Sequence, residues 1–93
     1  MIYSWFLMPI QKELRDVLII IADLTKNDAN ADTYDFVIYE RLNHIAQEKV
    51  DKYLNELSSL GLIAERIRPK TFGVDFRLFH ITKEGLHELM PGA

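Results

Sequence analysis

Apolar residues recur every three or four positions in three stretches of the chain, which is the spacing of one helix face. The first stretch covers residues 9–25 and begins at a proline, which suits the first turn of a helix. The second covers residues 33–42, with Asp32 in front of it as an N-cap. The third covers residues 45–60 and meets Gly61, the residue type that most often ends a helix. The pattern therefore predicts three helices joined by short turns.

After Gly61 the pattern changes to an alternation of apolar and polar residues. Residues 62–68 and 74–81 alternate, and the five residues between them include both Pro69 and Gly73. This predicts a β-hairpin over residues 62–81. Pleating places Phe79 and Ile81 on one face of the second strand. The other face then presents Phe76, Leu78 and His80 to solvent.

Thr82 is placed to cap a last short helix over residues 83–90, which ends before Pro91 and Gly92. The predicted fold class is α+β and mostly helical, with three helices, a two-stranded wing and a short C-terminal helix. Two helices joined by a short turn and followed by a hairpin form the winged helix-turn-helix arrangement. We expect residues 1–93 to form one domain of this kind, because a chain of this length has no room for a second core.

The composition is that of a globular protein, with 48% hydrophobic and 27% charged residues. The chain contains no cysteine, which excludes a disulfide framework, a thiolate zinc site and a cysteine nucleophile. The apolar run at residues 1–10 is shorter than the roughly 20 residues that a membrane span needs, and it lacks the features of a signal peptide. We expect a cytoplasmic protein.

The net charge is −3, but the positive charges are concentrated in one part of the chain. Residues 63–83 contain five lysines and arginines against two acidic residues, whereas residues 1–43 are acidic. The basic segment coincides with the predicted wing. A local basic patch can bind phosphate even when the whole chain is acidic.

Two segments resemble winged-helix regulators of the PadR-like and MarR-like families. YLNELSSLGLI at residues 53–63 is similar to the end of their recognition helix, and FHITKEGLHEL at residues 79–89 is similar to their strand-to-helix junction. Thr82, Gly85 and Leu89 match the second motif, and Ile81 stands where leucine is usual.

Residues 33–43 are similar to the second helix of PadR-like proteins, with Asp35 and Phe36 in place of the usual glycine and tyrosine. The resemblance covers most of residues 10–90 and implies a domain that binds double-stranded DNA. The chain lacks the long additional dimerisation helices of both families. It is in this respect similar to small archaeal, viral and plasmid DNA-binding proteins, including plasmid partition proteins.

A recognition helix at about residues 45–60 would enter the major groove, and a wing at residues 66–77 would contact the backbone or the minor groove. On the helix, Gln47 and Asn55 can bond adenine, and Lys49 and Lys52 can reach guanine or phosphate. The candidate wing contacts are Arg66, Arg68, Lys70, Thr71 and Arg77.

Each of these candidates has a simpler alternative. The helix residues can form an ordinary solvated face, and the basic hairpin can be a sheet edge that charge protects from aggregation. The helix also carries Glu48, Asp51 and Glu56. An acidic side chain can accept a hydrogen bond from cytosine, or it can indicate that this helix meets a protein.

The apolar arm at residues 1–8 is expected to pack with α-helical residues against a second copy of the chain. The candidate dimer residues are Trp5, Phe6, Ile19 and Ile20, with Phe76 and Leu78 as another possible contact. The alternative is that Trp5 and Phe6 complete the core of the monomer.

The sequence thus predicts a homodimer that binds an inverted-repeat site in double-stranded DNA, most simply as a transcriptional regulator. The alternatives are a partition-site binder and a winged-helix module that binds proteins. We expect no enzymatic activity, no metal and no cofactor. The three histidines, His44, His80 and His87, are scattered and have no metal-ligand spacing, and the chain has no nucleotide-binding loop.

Overall fold

The computed structural model describes residues 10–66 and 76–90 of the chain. This part has an α+β fold, mostly helical, with four helices and a three-stranded antiparallel sheet. In chain order the elements are α1 (Lys12–Leu24), β1 (Thr33–Tyr34), α2 (Asp35–Arg41), α3 (Gln47–Ser59), β2 (Ile63–Arg66), β3 (Leu78–Ile81) and α4 (Lys83–Leu89). None of the helices in these residues combines the length and the apolar character that crossing a bilayer requires.

The hydrophobic core lies between α1, α3 and the inner face of the sheet. The positions that the helical spacing assigns to the inner face of α1 are buried, with Val17, Leu18 and Ile21 fully enclosed. The same holds for Val50, Leu54 and Leu57 of α3. Phe79 of β3 is the largest side chain that is completely buried. The predicted helices and their core faces are therefore confirmed, with the ends moved by a few residues.

The first strand was not predicted. Thr33 and Tyr34 pair with Phe79 and Leu78 of β3, so β3 lies in the centre of the sheet, in the order β1-β3-β2. The expectation that Asp32 caps a helix beginning at Thr33 is wrong, because the backbone of this pair is extended and α2 begins only at Asp35. Pairing with β3 gives hydrogen-bond partners to backbone groups that would have none at the start of a helix.

Leu78 is only 5% exposed, although the alternation of the strand placed it in solvent. The missed strand explains the difference. Tyr34 lies directly opposite Leu78 on one side, and Arg66 lies opposite it on the other. A central strand is covered by the side chains of both neighbours, whereas one strand of an isolated hairpin has a single neighbour.

Two other helix ends that the sequence assigned to specific residues, Gly61 and Thr82, are confirmed. Gly61 follows α3 with a φ of +77°, and the amide of Leu62 bonds the carbonyl of Leu57 at 3.0 Å, as in a Schellman motif. The Thr82 hydroxyl accepts from the amide of Gly85 at 3.0 Å and donates to the carbonyl of Gly61 at 2.7 Å. Thr82 therefore caps α4 and also fixes it to the end of α3.

Candidate nucleic-acid interface

Helix α3 presents its polar face to solvent. Its inner face packs into the core through Val50, Tyr53, Leu54 and Leu57, which are at most 7% exposed. The four residues proposed for base and phosphate contact all lie on the exposed part of the helix: Gln47, Lys49, Lys52 and Asn55. The exposure of these four side chains, which the helical spacing of the sequence predicts, is therefore confirmed.

Acidic side chains share this face. An open groove of about 580 Å³ runs along α3 and past the end of the helix. It is lined by Glu48, Asp51, Lys52, Asn55, Glu56, Ser59 and Leu60. Three carboxylates and one ammonium group therefore surround it. The exposed face of α3 offers hydrogen-bonding groups and two lysines, but it is not a uniformly basic surface.

Arg77, a predicted wing contact, is bound to neighbouring acidic and polar side chains. Its Nε and Nη2 atoms donate to the two carboxylate oxygens of Glu65, each at 3.0 Å. Nη2 also donates to Asn55 Oδ1 at 3.0 Å, and Nη1 lies 3.8 Å from Asp51 Oδ1. The guanidinium carbon lies 4.9 Å from the centre of the Phe79 ring. The hydrogen bond to Glu65 is the main reason why the pKa of Arg77 is raised.

The side chain of Arg66 lies on the face of the sheet opposite to that of Arg77. It is the register partner of Leu78, so its side chain points away from the side on which Arg77 and Phe79 lie. Its Nε donates to both carboxylate oxygens of Asp32, at 3.0 and 3.1 Å. The two arginines that the sequence placed in one basic patch are therefore separated by the sheet, and each has its own carboxylate.

His80 lies on the same outer face as Arg66. Its Nδ1 atom is buried, makes no hydrogen bond and lies 3.6 Å from Asp32 Oδ1. Among the described residues, no group of three His, Asp or Glu side chains has an arrangement that could hold a metal ion.

A polar network joins α2, α3 and the sheet on the side of Arg77. The Tyr39 hydroxyl donates to Asp51 Oδ1, and Asp51 in turn faces Arg77. The pKa of Tyr39 is raised, first because burial disfavours the phenolate and second because the phenol bonds the Asp51 carboxylate. This network was not predicted from the sequence. Its members, Tyr39, Asp51, Glu65 and Arg77, come from four separate segments of the chain, so no local spacing pattern reveals it.

Three aromatic rings form a second feature that was not predicted. Tyr34 stacks on Phe36 with ring centres 5.2 Å apart, and Phe76 contacts both rings at 5.9 and 5.1 Å. Phe36 and Phe76 are 47% and 45% exposed. The cluster lies where β1 passes into α2.

Several predicted site residues lie outside the described part of the chain: Trp5, Phe6, Arg68, Lys70 and Thr71. Of the other possible dimer contacts, Phe76 is exposed and Leu78 is buried. Two further dimer candidates lie on α1. Ile19 is 44% exposed, whereas Ile20 is half-buried and packs against the core of its own chain. The solvent-exposed apolar surface expected on this helix is thus narrower than the sequence suggested.

Comparison with known proteins gives no assignment. The sequence matches no protein-family model and no curated protein.

Proposed function

We propose that this chain is a winged helix-turn-helix domain that binds double-stranded DNA in a sequence-specific manner, with α3 in the major groove. One observation carries the proposal. Helix α3 follows α2 after the short connector 42–46 and turns its exposed face, with Gln47, Lys49, Lys52 and Asn55, away from the core. The major groove admits one α-helix, and amide and cationic side chains are those that bond base edges.

The arrangement of the sheet supports the same fold. A strand between the first two helices pairs with a hairpin that follows the third, and this hairpin lies beside α3. The predicted wing tip would extend from β2 and β3. Arg68, Lys70 and Thr71 remain proposed contacts of that tip with phosphate or the minor groove.

The ion pairs of the described residues indicate which cations we assign to phosphate contact. Within residues 10–66 and 76–90, Lys49 and Lys52 take part in no ion pair, whereas Arg66 and Arg77 are both paired with carboxylates. We therefore assign phosphate contacts on α3 to the two lysines. Gln47 is assigned to base recognition together with Asn55, because amides can both donate to and accept from a base edge.

We further propose that the domain acts as a homodimer on an inverted repeat, as a transcriptional regulator or, alternatively, as a partition-site binder. The support for a dimer is the exposed Ile19 on α1, together with the apolar composition of residues 1–8. Two identical recognition helices would then contact half-sites about one helical turn apart.

Selection from a random duplex library tests the proposal directly. We expect an enriched motif, and we expect Lys49→Gln/Lys52→Gln to bind the selected duplex at least tenfold more weakly. The matched control is Lys12→Gln/Lys83→Gln, which removes the same charge from exposed positions on α1 and α4. The proposal fails if no motif is enriched, or if the two double variants bind equally.

The acidic groove supports a second candidate, a winged-helix module that binds a basic protein segment. Glu48, Asp51 and Glu56 outnumber the one lysine of the groove, and both described arginines of the sheet are neutralised. The variant Glu48→Gln/Glu56→Gln separates the two candidates. Loss of these charges should strengthen binding to a duplex, because it removes repulsion from phosphate. The same change should weaken binding to a lysine- and arginine-rich peptide.

A further inference from the structure

The hydrogen bond between Arg77 and Asn55 fixes the orientation of an amide on the exposed face of α3. A guanidinium group can only donate hydrogen bonds, so the Asn55 atom that faces Arg77 Nη2 at 3.0 Å must be the carbonyl oxygen. The amide nitrogen of Asn55, with its two donors, therefore points to the other side. Asn55 itself is exposed.

Arg77 is held firmly enough to impose this orientation. Its two-pronged contact with Glu65 fixes the plane of the guanidinium, and the group lies over the Phe79 ring. Asp51, which accepts a hydrogen bond from Tyr39, lies 3.8 Å from Nη1 of Arg77. The Arg77 side chain is 30% exposed. Rotation of the Asn55 amide would place its NH₂ group against this fixed cation, where both groups are donors.

The same contact reduces the capacity of Asn55 to accept a second hydrogen bond. An asparagine that bonds adenine through both amide atoms must accept from the exocyclic amine of the base. In this protein the accepting oxygen is already bound to a charged donor. A base amine brought to that oxygen would also lie beside the guanidinium charge. The outward NH₂ group has no such competitor and suits an acceptor on the base edge.

We propose that Arg77 is a positioning residue for base recognition. It holds Asn55 so that the amide NH₂ donates to O6 of guanine or O4 of thymine, and it disfavours adenine and cytosine, which have an amine at the equivalent position. The proposal rests on the proposed function, in which α3 enters the major groove. It changes the role expected for Arg77 from the sequence, since the arginine acts through Asn55 and not through phosphate.

The test compares the base preferences of variants by duplex selection. Asn55→Ala first identifies the base position that Asn55 contacts, as the position where preference is lost. We expect guanine or thymine there for the wild type. Arg77→Met should raise the relative affinity for adenine at that position by roughly three- to tenfold, the effect of one hydrogen bond, and leave the other positions unchanged. In the Asn55→Ala background, Arg77→Met should have no effect on the preference.

Two controls guard against a purely structural effect. Glu65→Gln/Arg77→Met removes both charges of the ion pair, so the carboxylate is not left unpaired, and it should show the same change in preference. In the free protein, Arg77→Met should also shift the NMR signals of the Asn55 side-chain amide, which reports the hydrogen bond without DNA.

The outcomes distinguish the two proposals. A wild type that selects no motif overturns DNA binding, and this inference with it. A wild type that selects a motif with adenine or cytosine at the Asn55 position overturns the inference and leaves DNA binding intact. The same conclusion follows if Arg77→Met changes every position equally, or if the Asn55 amide signals do not move.

Discussion

Arg66 and Arg77 point to opposite faces of the same sheet. Arg66 pairs in register with Leu78, the residue directly after Arg77, and successive side chains of a strand alternate between faces. Arg66 bonds Asp32 on the outer face, and Arg77 bonds Glu65 on the face that meets α3. Within residues 10–66 and 76–90, the base of the proposed wing therefore presents no continuous basic strip, and the cations of the groove face that take part in no ion pair are the lysines of α3.

The first prediction follows from this separation and concerns the salt dependence of duplex binding. Lys52→Gln should reduce the slope of log K against log salt by about 1, because one phosphate contact and its released counterion are lost. Arg66→Gln should change the slope little, since Arg66 is bound to Asp32. Affinity measured by fluorescence anisotropy between about 50 and 200 mM salt gives both slopes. Equal reductions in the two variants would contradict the assignment.

The parts of the fold that the sequence predicted are those determined by local chemistry. The buried positions of α1 and α3 follow from helical spacing alone. Gly61 was predicted as the end of α3 because glycine favours the left-handed conformation found there. Thr82 was predicted as the cap of the next helix because its hydroxyl can accept from a free backbone amide. Strand β1 could not be predicted in this way. It has only two residues, and what stabilises it is pairing with β3, far away in the sequence.

In the candidate site, too, the features set by local chemistry could be predicted and those set by long-range contacts could not. The exposure of Gln47 and Lys52 follows from the period of the helix, which also buries the opposite face. The pairing of Arg77 with Glu65 depends on the register of two strands, and its contact with Asn55 depends on the packing of the sheet beside α3. The order of charges along the chain indicates a basic segment, but it does not indicate which carboxylates fold against that segment.

The second prediction concerns two glycines that are required for different reasons. A Cβ atom on Gly85 would collide with the carbonyl oxygen of Leu62 and lie 2.7 Å from Ile81 Cγ1. Gly85→Ala should therefore destabilise the protein by about 1–3 kcal/mol, even though alanine favours a helix. Around Gly61 the space is open, but its φ of +77° disfavours a side chain, so Gly61→Ala should cost about 1 kcal/mol.

The two causes are separated by a second substitution at each position. Asparagine tolerates the left-handed region, so Gly61→Asn should recover part of the stability that Gly61→Ala loses. At Gly85 a larger residue only adds atoms to the collision, and Gly85→Ser should be at least as unstable as Gly85→Ala. Urea denaturation followed by circular dichroism measures all four variants. Recovery at Gly85, or none at Gly61, would show that the two reasons are assigned incorrectly.

The third prediction tests the proposed dimer. Ile19 is 44% exposed on α1, so Ile19→Glu should leave the fold intact and place a charge in the interface. We expect sedimentation equilibrium to give twice the chain mass of 10.9 kDa for the wild type and the single chain mass for Ile19→Glu. Leu60→Glu is the control, because Leu60 is 55% exposed but lies at the end of α3 and is not one of the proposed dimer contacts. A doubled mass for Ile19→Glu would exclude this surface from the interface.

The last prediction concerns the stability of the protein at high pH. The pKa of Tyr39 is raised above its ordinary value, first by burial and then by the hydrogen bond to Asp51. The folded state thus holds this proton more tightly than the unfolded state. The resulting stability is complete below the ordinary tyrosine pKa of about 10, and it is lost progressively as the pH rises from there towards the raised value.

Tyr39→Phe removes this dependence together with the hydrogen bond. The variant should be less stable than the wild type at neutral pH by about 1 kcal/mol, the usual net effect of one hydrogen bond. The difference between the two proteins should then shrink as the pH rises beyond about 10, because only the wild type has a phenol to ionise at this position. Urea denaturation at a series of pH values gives the free energy of unfolding of both proteins. A difference that stays constant across the series would mean that Tyr39 ionises equally easily in the folded and unfolded states. It would then not be held by Asp51 in the network that joins α2 and α3 to Arg77.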